Sequence, residues 1–524
     1  MKLLARRSIL ALPLAIGASA LLAGCSFRNS GRAKTGSKNT GSHRPPGATV
    51  MPNGAVMFDT VYLGKALNIE VGPVAVHGDK AVARILFSTD SNDPVSLYKA
   101  FDIPDKPNSM VGMRLLSLKD GLVFPELNTS PKGLGDPVSK NRKSTIFPIF
   151  KAPSQATKSV ELFIPNMGIA LNIPIVPESD FDRPVEDILS EASIDEVNQG
   201  PYFLESVIVG PDGDSDVNRS RESTTVTVSG DVTFASDSSE LSGKADTVLS
   251  TVAEQVRLYS SGGKARITGH TDDVADDQHN QTLSERRAKA VSERLKVLVD
   301  MSKWKVSTAG LGETSPRVDN DSDEHRQLNR RVEIELIPVK PEESNSKPAK
   351  PAPSASGSST DASDKASGGP TDKGIDGVDV MLGDRVVHLS LPSVTRVGKY
   401  LCGSVLLTTV EKTIARKGSF ELPSRWESLR RRPGGWALLD PASNLTLLEG
   451  QFHYLPSDYA DSNGGYLPLS NIVIADLVAG DTRYLPVVWP DLGTDTVTLD
   501  LPGGTGTHGS PVSARLTDIP VVDA

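Results

Sequence analysis

The feature that most constrains this chain is a change in the period of its apolar residues. Residues 51–210 carry short alternating runs, LNIEV, AVARILF, VELFIP and IALNIPIV, separated by proline and glycine. Residues 377–524 read the same way, in VVHLSL, GSVLLTTV, WALLD and VTLDLP. Two-residue alternation between turn signals predicts short strands, hence two β-rich modules. Between residues 225 and 340 the period lengthens. Val248, Val252 and Val256 stand four apart with Leu249 beside them, and Gly262-Gly263 follows. That is an amphipathic helix with a stop. TLSERRAKAVSERLKVLV predicts a second helix, with Leu283, Ala288, Val291, Leu295 and Leu298 on one face. Thr282 and Glu285 are spaced as a capping box at its start. TVTVSGDVTF, KARITG, WKVSTAG and RRVEIELI read as strands. The order β-α-β-α-β-β predicts an α/β domain with helices packed on a mixed sheet. The fold class is therefore multidomain, an α/β centre between two β-rich modules.

Low-complexity segments mark the boundaries. Residues 26–50 are polar and basic, with almost no apolar side chains, and predict a disordered tether. Fully stretched, it would reach about 80 Å. Residues 341–376 form a Pro/Ser/Gly-rich linker. The polar patch 211–223 separates the first module from the centre.

The two β-rich modules also resemble each other. An apolar residue precedes Pro148 and Pro486, a second proline follows at Pro153 and Pro490, and both continue as Val-x-Leu-x-apolar-Pro, at Val160 to Pro165 and Val497 to Pro502. MRLLSLKDGLVFPELN (113–128) pairs loosely with WALLDPASNLTLLEGQ (436–451). A duplication is expected, and a two-sheet, immunoglobulin-like sandwich suits the strand spacing.

Residues 1–25 read as an export signal, with a basic start, an apolar stretch and small residues before Cys25. Leu22-Ala23-Gly24-Cys25 resembles the lipobox of bacterial lipoproteins, which implies acylation of the Cys25 sulfur and cleavage before it. Arg6-Arg7 faintly resembles a twin-arginine signal. The net charge is −9, yet the first 50 residues hold eight basic residues and no acid, so the remainder carries −17. An acidic body argues against nucleic acid as a partner. The basic tether beside an acyl anchor suits an anionic bilayer surface. There are two cysteines. With Cys25 acylated, Cys402 has no disulfide partner, and its apolar surroundings predict a buried small hydrophobe.

Chemistry concentrates in GHTDDVADDQHNQTLSERRA, residues 269–288. Asp272 follows strand KARITG, and Arg287 falls within the first two turns of the predicted helix. A strand exit and a helix start joined by a loop can form two sides of a shallow pocket. A carboxylate there accepts from an ammonium, and a guanidinium grips a carboxylate. From the residues alone, Asp272 and Arg287 could equally pair with each other. His270 and His279 lack a third ligand at metal spacing. The aspartates 273, 276 and 277 lack the ligand ladder of a calcium loop. No metal or cofactor is expected.

Four blocks occur in order: Gly269-His270-Thr271-Asp272; Asn280-x-x-Leu283-Ser284-x-x-Arg287-Ala288; Gly310-x-Gly312-Glu313-x-x-Pro316; and Asn329-Arg330-Arg331-Val332-Glu333-Ile334. Together with the upstream Phe234-x-x-Asp237-x-x-x-Leu241, they resemble the OmpA-like peptidoglycan-binding domain. The resemblance covers about 110 residues. It implies a pocket for the diaminopimelate of the peptidoglycan stem peptide. Asp272 would take the amino group and Arg287 the carboxylate. Asn280 and Arg330 would line the pocket as donors, with Asp237 a weaker member because the family often has asparagine there. Val274 stands where many members have a small or polar residue.

The expected protein is a lipid-anchored component of the cell envelope that tethers membrane to wall. The alternative is an envelope scaffold whose β-rich modules carry the main role through protein partners. An enzyme of wall metabolism is disfavoured, since HExxH, G-x-S-x-G and a cysteine-histidine pairing are missing from the sequence.

Overall fold

The computed structural model describes residues 49–51, 53–62, 64–97, 112–128, 136–194, 200–210, 213–235, 237–340, 369–382, 385–410, 444–460, 466–470, 482–502 and 512–524. The export signal with Cys25, the tether up to residue 48 and linker residues 341–368 lie outside them.

In the centre, five strands run side by side in the order Ser215–Arg219, Thr224–Ser229, Arg331–Pro338, Gly263–Gly269, Trp304–Gly310. Every neighbouring pair is antiparallel except the last, in which Gly263 lies opposite Trp304 and Gly269 opposite Gly310. The alternation sorts the faces. Val226, Val228, Ala265, Ile267, Val332, Ile334 and Leu336 are buried in one core, whereas Lys264 and Arg266 are exposed. The helix Ala245–Leu258 contributes Val248, Leu249, Val252 and Val256 to that core, as its spacing predicts. The long helix Asp277–Leu298 contributes Ala288, Val291 and Leu295. A leucine side chain buried this way stabilises by about 1.5–3 kcal/mol.

Three local expectations change. The long helix starts five residues before Thr282, at Asp277, and Asp276 is its cap. The Asp276 backbone is extended (φ −72°, ψ 153°), and its carboxylate accepts from the His279 amide at 2.9 Å. A carboxylate there satisfies an orphan amide and favours the positive end of the helix dipole, whereas Thr282 sits inside the helix and donates to the Gln278 carbonyl. Replacing Asp276 with alanine should cost about 1 kcal/mol in denaturant unfolding. The stretch TVTVSGDVTF leaves the sheet at Ser229 and closes in a short helix, Gly230–Thr233. A further helix, Asp323–Asn329, stands between the last two strands, capped by the Ser322 hydroxyl.

Two glycines set how closely the parallel strands approach the long helix. A Cβ on Gly269 would lie 2.2 Å from the Ser284 carbonyl oxygen, and one on Gly310 would lie 2.4 Å from the Glu285 nitrogen. The strand ends therefore press directly on helix backbone, and the loops leaving them lie beside the helix's first turns.

The flanking modules reach further than their composition suggests. Thr49–Val50 pairs with Val56 and Met57, so the tether ends before residue 49. Thr371–Lys373 runs parallel to Arg515–Thr517, so the last residues of the expected linker belong to the sheet. The strand Tyr202–Val209, expected in the first module, pairs with four others. Its neighbours are Ser215–Arg219 of the central sheet, Leu122–Pro125 of the first module, and Phe452–Tyr454 and Asp458–Ala460 of the second.

The modules share a pairing scheme. Arg114–Ser117 pairs with Leu122–Pro125 and with Ser159–Ile164; Thr446–Glu449 pairs with Phe452–Tyr454 and with Thr496–Pro502. Ser159–Ile164 is antiparallel to Gly168–Val176, whose end lies parallel to Val74 and Ala75. Thr496–Pro502 is antiparallel to Ser513–Asp523, whose end lies parallel to Val394–Arg396. Both hairpins break register at a residue with left-handed backbone, Asn172 (φ 55°) and Asp518 (φ 54°). Asn and Asp are the side chains that tolerate this conformation best. Each precedes an Ile-Pro pair. Between the modules lies a shared core of Leu116, Phe163, Val397, Tyr400, Cys402 and Val488. Cys402 is buried there, and burial pushes its thiol well above the usual range.

Candidate functional site

The site forms where the parallel strands end against the long helix. The His270 amide donates to the Arg331 carbonyl and the Thr271 amide to the Gly312 carbonyl, both at 2.9 Å. These bonds bring Asp272, three residues beyond its strand, against Arg330. Arg330 Nη1 donates to Asp272 Oδ2 at 2.6 Å. The same guanidinium grips Asp231 with two bonds, Nε to Oδ1 at 2.7 Å and Nη2 to Oδ2 at 2.6 Å. Asp231 and then Asp272 raise the Arg330 pKa further. Asp272 therefore pairs with Arg330, and no hydrogen bond joins it to Arg287 among the described residues.

Arg287 lies ten residues into the helix, nearly three turns rather than two, because the helix starts earlier than expected. It is only 4% exposed. Its Nε donates to the Ser238 carbonyl at 2.9 Å, and its guanidinium lies 5.1 Å from the Phe234 ring centroid. Its Nη atoms have no hydrogen-bond partner among the described residues. Burial lowers its pKa, partly offset by Asp231, Asp237 and Asp272 nearby.

Two expected members take other parts. Asn280 is 2% exposed, and its amide nitrogen lies within 3.1 Å of the Asp272 and Ala275 carbonyls and 2.6 Å from Glu313 Oε2. Two hydrogens face three acceptors. Asn280 thus braces the loop that carries Asp272 and has no spare donor to line the pocket. The carboxylates of Asp231 and Asp272 likewise engage all three guanidinium nitrogens of Arg330. Asp237 is exposed at the rim, with Oδ1 3.0 Å from His279 Nε2. Its φ of 48° is left-handed, which suits aspartate and asparagine alike.

Asn329, Arg330 and Arg331 alternate in role. Asn329 is fully buried, accepts from the Arg317 and Val318 amides, and donates to the Val318 carbonyl and Asn320 Oδ1. Arg331 is buried too, and donates to Glu333 and to the Asn329 and Ser315 carbonyls. Both hold the 315–320 loop, while Arg330 between them grips Asp231 and Asp272. The sequence reading missed Asp231, Ser238 and the part played by Glu313. Asp231 lies 99 residues from Arg330, and no local spacing links them. Glu313 was visible in its block but had no partner to suggest a role. Among the described residues no group of three His, Cys, Asp or Glu could hold a metal ion.

Comparison with known proteins locates this site in a family. The model of the OmpA family matches residues 233–330. Outer membrane porin F of Pseudomonas aeruginosa is 32% identical over 174 residues, which are 32% of this chain and 48% of the porin. The chain thus spans about half of that relative's length. Peptidoglycan-binding protein ArfA of Mycobacterium tuberculosis is 26% identical over 278 residues, 50% of this chain and 78% of that protein. Among solved structures, the cell wall anchor of the T6SS from Pseudomonas aeruginosa is 29% identical, covers 24% of this chain and 88% of its own, and has a TM-score of 0.21. The first blocks and Asn329-Arg330 of the last fall within the matched residues, and the central domain of this chain belongs to the OmpA family.

Proposed function

We propose that this chain binds peptidoglycan non-covalently, gripping the diaminopimelate end of the stem peptide. Asp272 would take the amino group and Arg287 the carboxylate. The observation that carries the reading is a buried guanidinium, its Nη atoms without a hydrogen-bond partner among the described residues, beside a carboxylate cluster. One ligand carbon bearing both an ammonium and a carboxylate would satisfy both sides. Acylation of Cys25 would anchor the other end in a membrane, on its extracytoplasmic side, so that the protein tethers membrane to wall. ArfA, named for peptidoglycan binding, supports the reading.

A second reading rests on the strand Tyr202–Val209. It joins the central sheet to both β-rich modules, so the wall-binding domain is built into a larger β-structure that could serve as a docking surface for protein partners. We infer from the shared pairing scheme that the two modules are copies.

The test is co-sedimentation of the chain with purified sacculi. The parent should pellet, and Asp272→Ala should leave most of the protein in the supernatant. Loss of a charge-assisted contact is worth about 1.5–3 kcal/mol, or about 10- to 100-fold in affinity. Equal pelleting of both would move the main role to the β-rich modules.

A further inference from the structure

We propose that the pocket reads the ionisation of its ligand's carboxyl group, taking the free carboxylate and rejecting the carboxamide. The inference rests on the stem-peptide reading above and narrows it to stem peptides whose diaminopimelate is not amidated beside its free amino group. Asp231 and Asp272 both bond Arg330, and Asp237 bonds His279. Of the two guanidinium groups at the site, Arg330 is held by carboxylates, and Arg287 has none in contact among the described residues. Arg287 is nonetheless 96% removed from water by its 4% exposure. Among the described residues its one hydrogen bond goes to a neutral carbonyl, and its guanidinium lies near an aromatic ring.

A buried charge without a contact partner is costly. The domain keeps Arg287 in that state with two Nη atoms unspent. A carboxylate entering beside them brings two acceptor oxygens and the missing negative charge, and the pair can be bidentate. A carboxamide has nearly the same shape and the opposite consequence. It offers one acceptor, turns an N–H toward an N–H, and leaves the buried cation uncompensated. Sites built for a specific hydrogen-bonding group reject isosteres that leave buried polar groups unpaired. The ammonium of the ligand does not decide this choice, since Asp272 meets it in both cases.

The experiment is calorimetric titration of the full chain with two synthetic tripeptides, L-Ala-γ-D-Glu-diaminopimelate with the carboxyl beside the free amino group either free or amidated. The free acid should bind about 100-fold more tightly. Arg287→Gln should reduce the ratio to about threefold or less, and Asp272→Asn should weaken both ligands while preserving it. Equal affinities for the parent would overturn the inference and leave stem-peptide binding in place. A ratio that survives in Arg287→Gln would also overturn it. If neither tripeptide binds and the chain ignores sacculi, the proposed function fails and takes the inference with it. The Asp272→Asn arm keeps the test decisive should Arg287→Gln not fold, because a ratio lost there assigns the selection to Asp272 instead.

Discussion

Arg287→Met is expected to abolish pelleting with sacculi and to raise the stability of the central domain at the same time. The two effects have one cause. Arg287 is buried, and among the described residues no contacting carboxylate neutralises its charge and it makes a single hydrogen bond, to the Ser238 carbonyl. Methionine fills a similar volume, keeps a favourable contact with Phe234, and places no charge in a largely buried position. Replacing a whole buried ion pair with apolar residues of similar volume is often neutral or stabilising by about 1–4 kcal/mol, and Arg287 leaves no contacting carboxylate behind among the described residues. The lost bond to Ser238 offsets about 1 kcal/mol of that. A net gain of about 1 kcal/mol should appear as a later urea midpoint. Affinity for sacculi should meanwhile fall by about 100-fold or more, since the carboxylate of the ligand would enter with nothing to meet it. A less stable variant would show that Arg287 is a structural residue whose charge is compensated by the fold. Unaltered pelleting would remove Arg287 from the binding site.

How much of this was legible in the sequence depends on the distance over which each signal acts. The helix Ala245–Leu258 was readable because Val248, Val252 and Val256 repeat within one segment. The start of the long helix was not. Thr282 and Glu285 carry a capping pattern, but Asp276 has the extended backbone and the local amide to satisfy, and tertiary placement of the loop decides between them. In the site, Asp272 and Arg287 were found because they stand in ordered blocks. Their mutual arrangement was not, because Arg330 competes for Asp272 from 58 residues away. Asp231 was invisible for the same reason. The blocks named Asp272 and Arg287; the pairings that leave Arg287 without a contacting carboxylate among the described residues arise only when distant segments converge. The β-rich modules show the converse. Their repeated Val-x-Leu-x-apolar-Pro stretches were legible, yet the strand Tyr202–Val209 that stitches them to the centre looks like any other alternating run.

Glu161→Gln should remove a pH dependence of stability worth about 3 kcal/mol. Glu161 is 1% exposed and stands opposite Leu116 on the neighbouring strand, so its side chain faces the core shared by the two β-rich modules. The Leu118 amide donates to its Oε2 at 3.1 Å. Burial pushes its carboxyl from 4.5 up to about 7, against the pull of the Leu118 amide and Lys119, with Asp120 adding to the rise. Across the shared core, Glu161 adds to the rise that burial imposes on the Cys402 thiol. The native state thus binds a proton that the unfolded chain releases near pH 4.5. The stability gained from the protonated form is complete below 4.5 and is lost as pH rises through about 7. At about 1.36 kcal/mol for each pH unit across that window, the loss is about 3 kcal/mol. Glutamine keeps an oxygen for the Leu118 amide and carries no charge to bury. Urea unfolding of parent and variant should therefore diverge with pH, nearly coinciding at pH 4.5 and separating by about 3 kcal/mol at pH 8, with the variant more stable. Because every other titrating group is common to both chains, the divergence belongs to Glu161. Parallel curves would mean that this carboxyl reaches water when it ionises, and that the core between the modules opens to admit it.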